Sequence, residues 1–298
     1  MRGARKLSLW PLLLLGGCLS LDDYPRVHPL EPENASLDFD GDGVANGEDN
    51  CPRHKNPTQA DANGDRVGDA CDPWAALPRG TFQMGSNDGD FDERPVHPVT
   101  VPAFEILKTE VTVAMYRACQ TAGSCSTPDT GGSCTWSSSA GAQEDHPINC
   151  VDWDQARAFA AWVGGGARLC TEAEWEYAAR SGGQDRTYPW GDATPTCDRA
   201  VMTGCAGDTQ PVCSRMTGNS DQGVCDLAGN VWEWVQDWFH SIYEGAPTDG
   251  SAWENPAGSV RVLRGGSWGN AADSLRASYR GWLDPGLRYG LLGFRLCR

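Results

Sequence analysis

Thirteen cysteines among 298 residues constrain this chain more than any other feature. Cys18 stands apart from the others, directly after a basic start (Arg2, Arg5, Lys6) and an apolar run from Leu7 to Leu15. Basic residues, a short apolar stretch and then Gly16-Gly17 read as an export leader, too short to cross a bilayer and stay in it. With Cys18 set aside, twelve cysteines are left. An even set in an exported chain reads as disulfides. No Cys-x-x-Cys pair occurs, so zinc is not expected. Cross-links of this density suit a fold with much irregular backbone.

The Leu15-Gly16-Gly17-Cys18 step resembles a bacterial lipoprotein cleavage box. The resemblance implies that residues 1–17 are a lipoprotein signal peptide and that Cys18 becomes the lipidated first residue. The chain would then be an exported lipoprotein of the outer membrane or cell envelope, periplasmic or surface-exposed, held to the membrane by its N-terminal lipid. An ordinary signal peptide with an incidental cysteine is the alternative. No later run is apolar and long enough to span a bilayer. The formal charge is −16, and losing the three basic leader residues leaves 21 basic against 40 acidic side chains, or −19. Such an excess excludes nucleic acid as a partner, because phosphate neutralisation needs a basic surface.

Residues 18–34 are rich in Pro and acidic groups without periodicity and read as a tether. Residues 35–73 form an acidic repeat, and 74–298 form one domain rich in Gly and Trp. In that domain Asp154 to Val163 puts Ala156, Phe159, Trp162 and Val163 on one helical face. Thr171-Glu172-Ala173-Glu174 is a capping box, and its helix runs to about Arg180, where Ser181-Gly182-Gly183 stops it. A third helix is expected from Thr112 to Gln120, with Met115, Tyr116 and Cys119 inward. Phe82 to Gly85, Val99 to Val101, Phe104 to Leu107 and Val260 to Leu263 read as short strands. The fold class is α+β with extensive coil.

The acidic repeat has metal-ligand spacing. Asp38, Asp40, Asp42, Asn46 and Asp49 stand at positions 1, 3, 5, 9 and 12 of a loop, with Gly43 at 6 and the carbonyl of Val44 at 7. A hard cation needs six to eight oxygens, and Gly permits the sharp turn. The pattern returns with Asp61, Asn63, Asp65, the carbonyl of Val67, Asp69 and Asp72, but Arg66 replaces the turn Gly. Calcium is the expected cofactor. The run through Asp49-Asn50-Cys51-Pro52, Asn56, Gln59 and Gly68 to Asp72 resembles a thrombospondin type 3 repeat, whose loops wrap calcium with little other structure. So short a segment cannot build its own core, and ions plus one disulfide must hold it. Cys51–Cys71 is the natural pair.

Three motifs mark the large domain. They are Arg168 to Tyr177 (Arg-Leu-Cys-Thr-Glu-Ala-Glu-Trp-Glu-Tyr), Cys225 to Trp234 (Cys-Asp-Leu-Ala-Gly-Asn-Val-Trp-Glu-Trp), and Arg264-Gly265-Gly266-Ser267-Trp268 closed by Gly293-Phe294-Arg295. They resemble the formylglycine-generating enzyme, or sulfatase-modifying factor, family. The resemblance implies that family's C-type-lectin-like fold. It also implies a calcium held by the Asp226 side chain, the Gly229 and Val231 carbonyls and the Glu233 carboxylate. The alternative is that Asp226 caps a turn and Glu233 forms a local ion pair. A second family calcium site does not transfer, since Val201 and Met202 replace its Asn-Ile pair. Cys213–Cys225 would brace the loop into the Asp226 site. Cys197–Cys205, Cys119–Cys125, Cys134–Cys150 and Cys170–Cys297 are the other candidate pairs, though sequence cannot fix connectivity among so many.

Active members of that family oxidise a substrate cysteine with oxygen and Cu(I), held by two thiolates three and eight residues after the Ser of Gly-Gly-Ser. Here Ser267 is kept, but those places hold Asn270 and Leu275. Cu(I) needs soft donors, so copper is not expected and the catalytic site is degenerate. Iron-dependent relatives take their histidines from a separate helical domain, and His28, His54, His97, His146 and His240 show no metal spacing. The reading is a calcium-binding, lipid-anchored envelope protein whose head is a binding or accessory module for an unknown protein or glycan ligand. The alternative is an oxidoreductase of the same superfamily, formylglycine-generating or a related periplasmic maturation enzyme, using another metal or mechanism.

Overall fold

Each helix of the large domain starts at the residue whose side chain can cap it. The computed structural model describes residues 35–52, 55–61, 66–68 and 71–298. The leader, Cys18, the tether to residue 34, His28, His54, Asn63, Asp65 and Asp69 lie outside the described residues. Helix α1 (Val113–Thr121) follows Thr112, whose hydroxyl accepts the Met115 amide. Helix α2 (Trp153–Val163) follows Asp152, which exchanges bonds with Gln155 in a second capping box. Helix α3 (Glu172–Ala179) has the box expected of Thr171 and Glu174. Its end is closed by the Gly182 and Gly183 amides, which donate to the Tyr177 carbonyl. The inward set of α2 is buried as expected, and so are Tyr116 and Cys119 of α1, while Met115 is only partly covered.

The strands form three sheets. In the first, β1 (Trp74–Leu77), β4 (Phe104–Leu107), β10 (Leu296–Cys297) and β5 (Arg168–Leu169) lie in the order β1-β4-β10-β5, all antiparallel. Strands β2 (Gly80–Met84) and β3 (His97–Val101) pair with each other. The third sheet has the order β8-β7-β6-β9, from β8 (Gly281–Leu283), β7 (Arg261–Arg264), β6 (Trp232–Trp238) and β9 (Leu292–Phe294). Its β6–β9 pair is parallel. Strand β6 divides the interior: Trp234 faces one apolar core with Trp74, Tyr116, Phe159 and Phe294, and Val235 faces another with Leu77, Phe82, Val99 and Trp175. A strand covered on both faces shows no polar alternation, which is why β6 is not legible from periodicity. The twelve described cysteines join as Cys51–Cys71, Cys119–Cys125, Cys134–Cys150, Cys170–Cys297, Cys197–Cys205 and Cys213–Cys225.

Helix α3 is buried on every side although it carries three glutamates. Burial of a charge requires a partner. Glu172 takes two bonds from Arg280 and one from the Tyr243 hydroxyl. Glu176 takes the Arg264 guanidinium at 2.6 Å on one oxygen, and Arg180 and the Gly85 amide on the other. Glu174 pairs with Arg168 at 2.6 Å. Asp237 of β6 accepts the Glu172 amide at 2.7 Å and the Trp253 amide at 2.7 Å but has no cation of its own among these bonds. Burial, with the Glu172 carboxylate beside it, pushes Asp237 up to about 7.

The unfolded chain releases that proton near the ordinary carboxylate value, so folding stability falls as pH rises from about 4 to 7 on account of Asp237. Wild type should therefore lose stability relative to Asp237→Asn between pH 5 and pH 8, by on the order of 2 kcal/mol. Urea denaturation of both proteins at the two pH values measures the gap. A gap that does not change would mean that Asp237 titrates normally.

Candidate functional site

The first acidic loop closes on itself through its own amides. Asp38 Oδ1 accepts the Gly41 amide at 2.7 Å, and its Oδ2 accepts the Gly43 amide at 3.0 Å. Asp40 accepts the Asp42 amide, and Asp42 accepts the amides of Val44 and Asn56. This folding brings a carboxylate oxygen from each of Asp38, Asp40 and Asp42 within 4.8 Å of the others. Asp40 Oδ2 is buried there without a hydrogen-bond partner among the described residues. Burial and the Asp42 charge raise the Asp40 carboxyl, whereas the Gly43 amide chiefly holds Asp38 low. Asn46 is buried and accepts the Phe39 amide, and Asp49 Oδ1 accepts the Cys51 amide. Crowded hard oxygens with one unfilled acceptor fit a hard cation.

The second loop repeats the turn despite its different residue. Gly43 has φ +97° and Arg66 has φ +75°. The Arg66 amide donates to Asp61 Oδ2 at 3.0 Å, as the Gly43 amide does to Asp38 Oδ2. Arg66 therefore keeps the left-handed turn at a cost in backbone strain that glycine would not have. The loop ends at Asp72, which is buried and accepts the Trp74 amide at 2.9 Å. Val67 is buried too.

In the head, Asp226 follows the Cys213–Cys225 link and takes the left-handed conformation, φ +56°. Its Oδ2 accepts the Cys213 amide at 2.6 Å. Gly229 lies against Val201, so close that a Cβ would sit 2.3 Å from the Val201 carbonyl. The amide of Val231 and the side chain of Asn230 both donate to Glu110. Glu233 is held otherwise than a lone metal ligand would be: Arg295 grips both of its oxygens at 2.7 Å, and the Trp175 indole adds a third bond at 2.7 Å. Three buried carboxylates, Glu110, Asp226 and Glu233, thus surround one guanidinium. Burial first, and the mutual charge with it, pushes Asp226 up to about 6 and Glu110 well above its usual range. The unneutralised charge on the Asp226 side fits a divalent cation, while Glu233 is already engaged by Arg295. Sequence reasoning missed Glu110, whose only mark was a Glu placed just before a helix cap. It noted Arg295 merely as part of a motif.

The Gly-Gly-Ser turn is intact but filled. Gly265 and Gly266 have φ of +94° and +73°, and a Cβ on Gly266 would come within 2.8 Å of the Ser274 carbonyl. The Ser267 hydroxyl is buried and donates to Asn270 Oδ1 at 2.5 Å. The Asn270 carbonyl accepts the Thr203 amide. Leu275 is fully buried with Tyr188, Ala200 and Ala228. Arg276 is bound to Glu93 through two bonds of 2.6 and 2.8 Å. Beside the turn, where Trp268 donates to the Gly290 carbonyl, lies a groove of about 200 Å³ lined by Trp232, Leu263, Trp282, Leu283, Tyr289 and Leu291. Trp282 and Tyr289 are half exposed on it.

A disulfide-braced α+β head with this turn, behind an acidic loop repeat, defines a class of proteins built on one superfamily fold. Residues 59–298 match the sulfatase-modifying factor enzyme 1-like domain, and 36–59 match the thrombospondin type 3 repeat. The chain belongs to the sulfatase-modifying factor enzyme 1-like family. It is 36% identical to a hercynine oxygenase of Mycolicibacterium thermoresistibile over 69% of this chain and 53% of that protein. It is 34% identical to the formylglycine-generating enzyme of Streptomyces coelicolor over 74% of this chain and 87% of that one. The structure of PvdO from Pseudomonas aeruginosa is similar with a TM-score of 0.65 and 31% identity, covering 76% of this chain and 93% of that one. The chain spans about half the length of the hercynine oxygenase it matches.

Two outcomes are expected of these loops. Chelation should expose residues 35–73 to protease, because the loop carboxylates repel one another without a cation, and Arg66→Gly should slow that cleavage at limiting calcium. A digestion pattern indifferent to chelator would defeat the assignment. In the head, Glu233→Gln should lower stability by about 3 kcal/mol or more with or without calcium, since Arg295 loses its buried partner. Asp226→Asn should melt no lower than wild type in chelator at pH 7.5, yet show a smaller calcium-induced rise than wild type. Melting curves in chelator and in calcium separate the two roles.

Proposed function

We propose that this chain is a calcium-binding, lipid-anchored protein of the cell envelope whose head acts as a binding or accessory module and not as a copper oxidase. The observation that carries the reading is the place of Leu275. It is packed in an apolar core at the position where copper-dependent relatives hold a thiolate. Asn270, at the other thiolate position, is tied to the Ser267 hydroxyl. An amide and an alkyl group offer Cu(I) no soft donor. The twelve described cysteines are already paired and cannot substitute.

The family supports this reading without choosing a chemistry, because fold membership does not carry function with it. The half-exposed Trp282 and Tyr289 support ligand capture, since aromatic faces offer large apolar area with a polar edge suited to peptide or sugar. The leader ending in Cys18 supports the lipid anchor, and the loops of residues 35–73 support calcium. An oxidoreductase with a different metal would need donors gathered in the head. Among the described residues the group of three donors close enough to share an ion lies in the acidic loop, and His97, His146 and His240 belong to no such group.

Purified protein should bind no Cu(I) against a bicinchoninate competitor and convert no sulfatase-type cysteine peptide to formylglycine. Asn270→Cys with Leu275→Cys should gain Cu(I) binding, while losing roughly 2 kcal/mol of stability from the vacated leucine volume. Formylglycine made by the unaltered protein and abolished by a copper chelator would overturn the proposal.

A further inference from the structure

Residues 180–231, between α3 and β6, contribute no α-helix and no strand to the three sheets. Within them the Cys197–Cys205 bond closes a loop of sequence separation 8. That loop lies against the Gly-Gly-Ser turn. Ala200 is 1% exposed in the small core that holds Leu275 with Tyr188 and Ala228, and Met202 packs against the same core. The Val201 carbonyl accepts the Asn230 amide at 2.8 Å, and the Thr203 amide donates to the Asn270 carbonyl at 2.9 Å. The Asp198 carbonyl accepts the Thr217 hydroxyl at 2.6 Å. One short loop thus rests on both Asn270 and the core of Leu275.

The bond that fastens this loop is reachable from solvent. Cys197 is exposed and Cys205 is half-buried. Each of the other five disulfides keeps at least one cysteine in the interior: Cys51, Cys119 with Cys125, Cys150, Cys170 with Cys297, and Cys225. An attacking thiolate must reach a sulfur atom, so access decides which bond exchanges first. The apolar anchors of the loop are short: Ala200, Val201 against Gly229, and the partly covered Met202. Once the covalent closure is gone, these and the bonds of Asp198, Val201 and Thr203 must hold the loop against its conformational entropy.

We propose that Cys197–Cys205 is a redox latch, which a small external thiol opens before the other five bonds and whose opening frees the loop from Asn270 and Leu275. An external thiolate attacks the Cys197 sulfur, the Cys197–Cys205 bond breaks, and Cys205 leaves as a thiolate. A second external thiolate then displaces Cys197 from the mixed disulfide. The protein gains two electrons as a dithiol, and the external pair departs as its own disulfide. The opened head presents the apolar surface of Leu275, Ala228 and Tyr188 that the closed loop covers. The Asn230 amide, four residues beyond Asp226, loses its acceptor at the same time.

The test treats the full chain, under native conditions, with reduced glutathione and traps free thiols with iodoacetamide. Peptide mass spectrometry should find Cys197 and Cys205 alkylated roughly tenfold faster than any other pair. In protein trapped at that stage, hydrogen exchange at the Thr203 and Asn230 amides should speed up by about tenfold, while the β6 amides stay protected. Binding of an apolar fluorescent dye should rise in step, and untrapped protein should lose the signal on reoxidation. Cys197→Ser with Cys205→Ser should show the same exchange and dye binding without reductant. If that variant folds poorly, the trapped wild-type chain carries the same readouts. Faster alkylation of another pair, or loss of β6 protection together with the loop, would overturn the selectivity and the latch with it. Opening of Cys197–Cys205 with unchanged exchange at Thr203 and Asn230 would show that the bond does not hold the loop in place.

Discussion

Buried guanidinium–carboxylate pairs hold the head together. Arg264, Arg280 and Arg295 come from the last part of the chain and are almost wholly buried, and each meets a buried glutamate: Glu176, Glu172 and Glu233. Such pairs add little over apolar packing when complete, but losing one partner leaves an uncompensated charge worth about 3–5 kcal/mol. They are therefore constraints more than adhesives. They admit one placement of the third sheet against α3, because any other would strand several charges at once. Trp175 strengthens the arrangement by donating to Glu233 and lying beside Arg264.

The same constraint explains how the Gly-Gly-Ser turn is held independently of the side chains at Asn270 and Leu275. Gly265 and Gly266 directly follow Arg264, and the Gly265 carbonyl accepts the Gly229 amide. The turn is thus fixed from both sides by charge pairing and by the Asp226 loop, whatever stands at Asn270 and Leu275. Its geometry belongs to the scaffold, and thiolates would be an addition to it.

What the sequence disclosed follows from the range of the interactions involved. Helix starts were legible because capping is local: Thr112, Asp152 and Thr171 each act within three residues. The strands with exposed faces were legible in part, while β6 was not, since both of its sides meet core. The acidic loop could be read because its ligand spacing is also local, and Asp38, Asp40 and Asp42 do converge. Glu110 beside Asn230 and Arg295 against Glu233 join residues more than sixty positions apart, and no pattern along the chain announces them. Arg66 is the opposite case, a residue that reads as a defect in the turn and yet adopts the conformation of glycine.

The order β1-β4-β10-β5 has a consequence for how the molecule is made. The centre of the first sheet is filled by Leu296 and Cys297, residues synthesised long after the strands on either side of them. Until they arrive, β4 has an edge with no neighbour, and β5 has nothing to pair with across the gap. Contacts of such long sequence separation form slowly, and an open edge invites pairing with another chain. Cys170 and Cys297 face each other across that late seam, 127 residues apart. The head is thus exposed to mispairing while it folds, and oxidation of this one bond marks the moment at which the vulnerable edge is sealed.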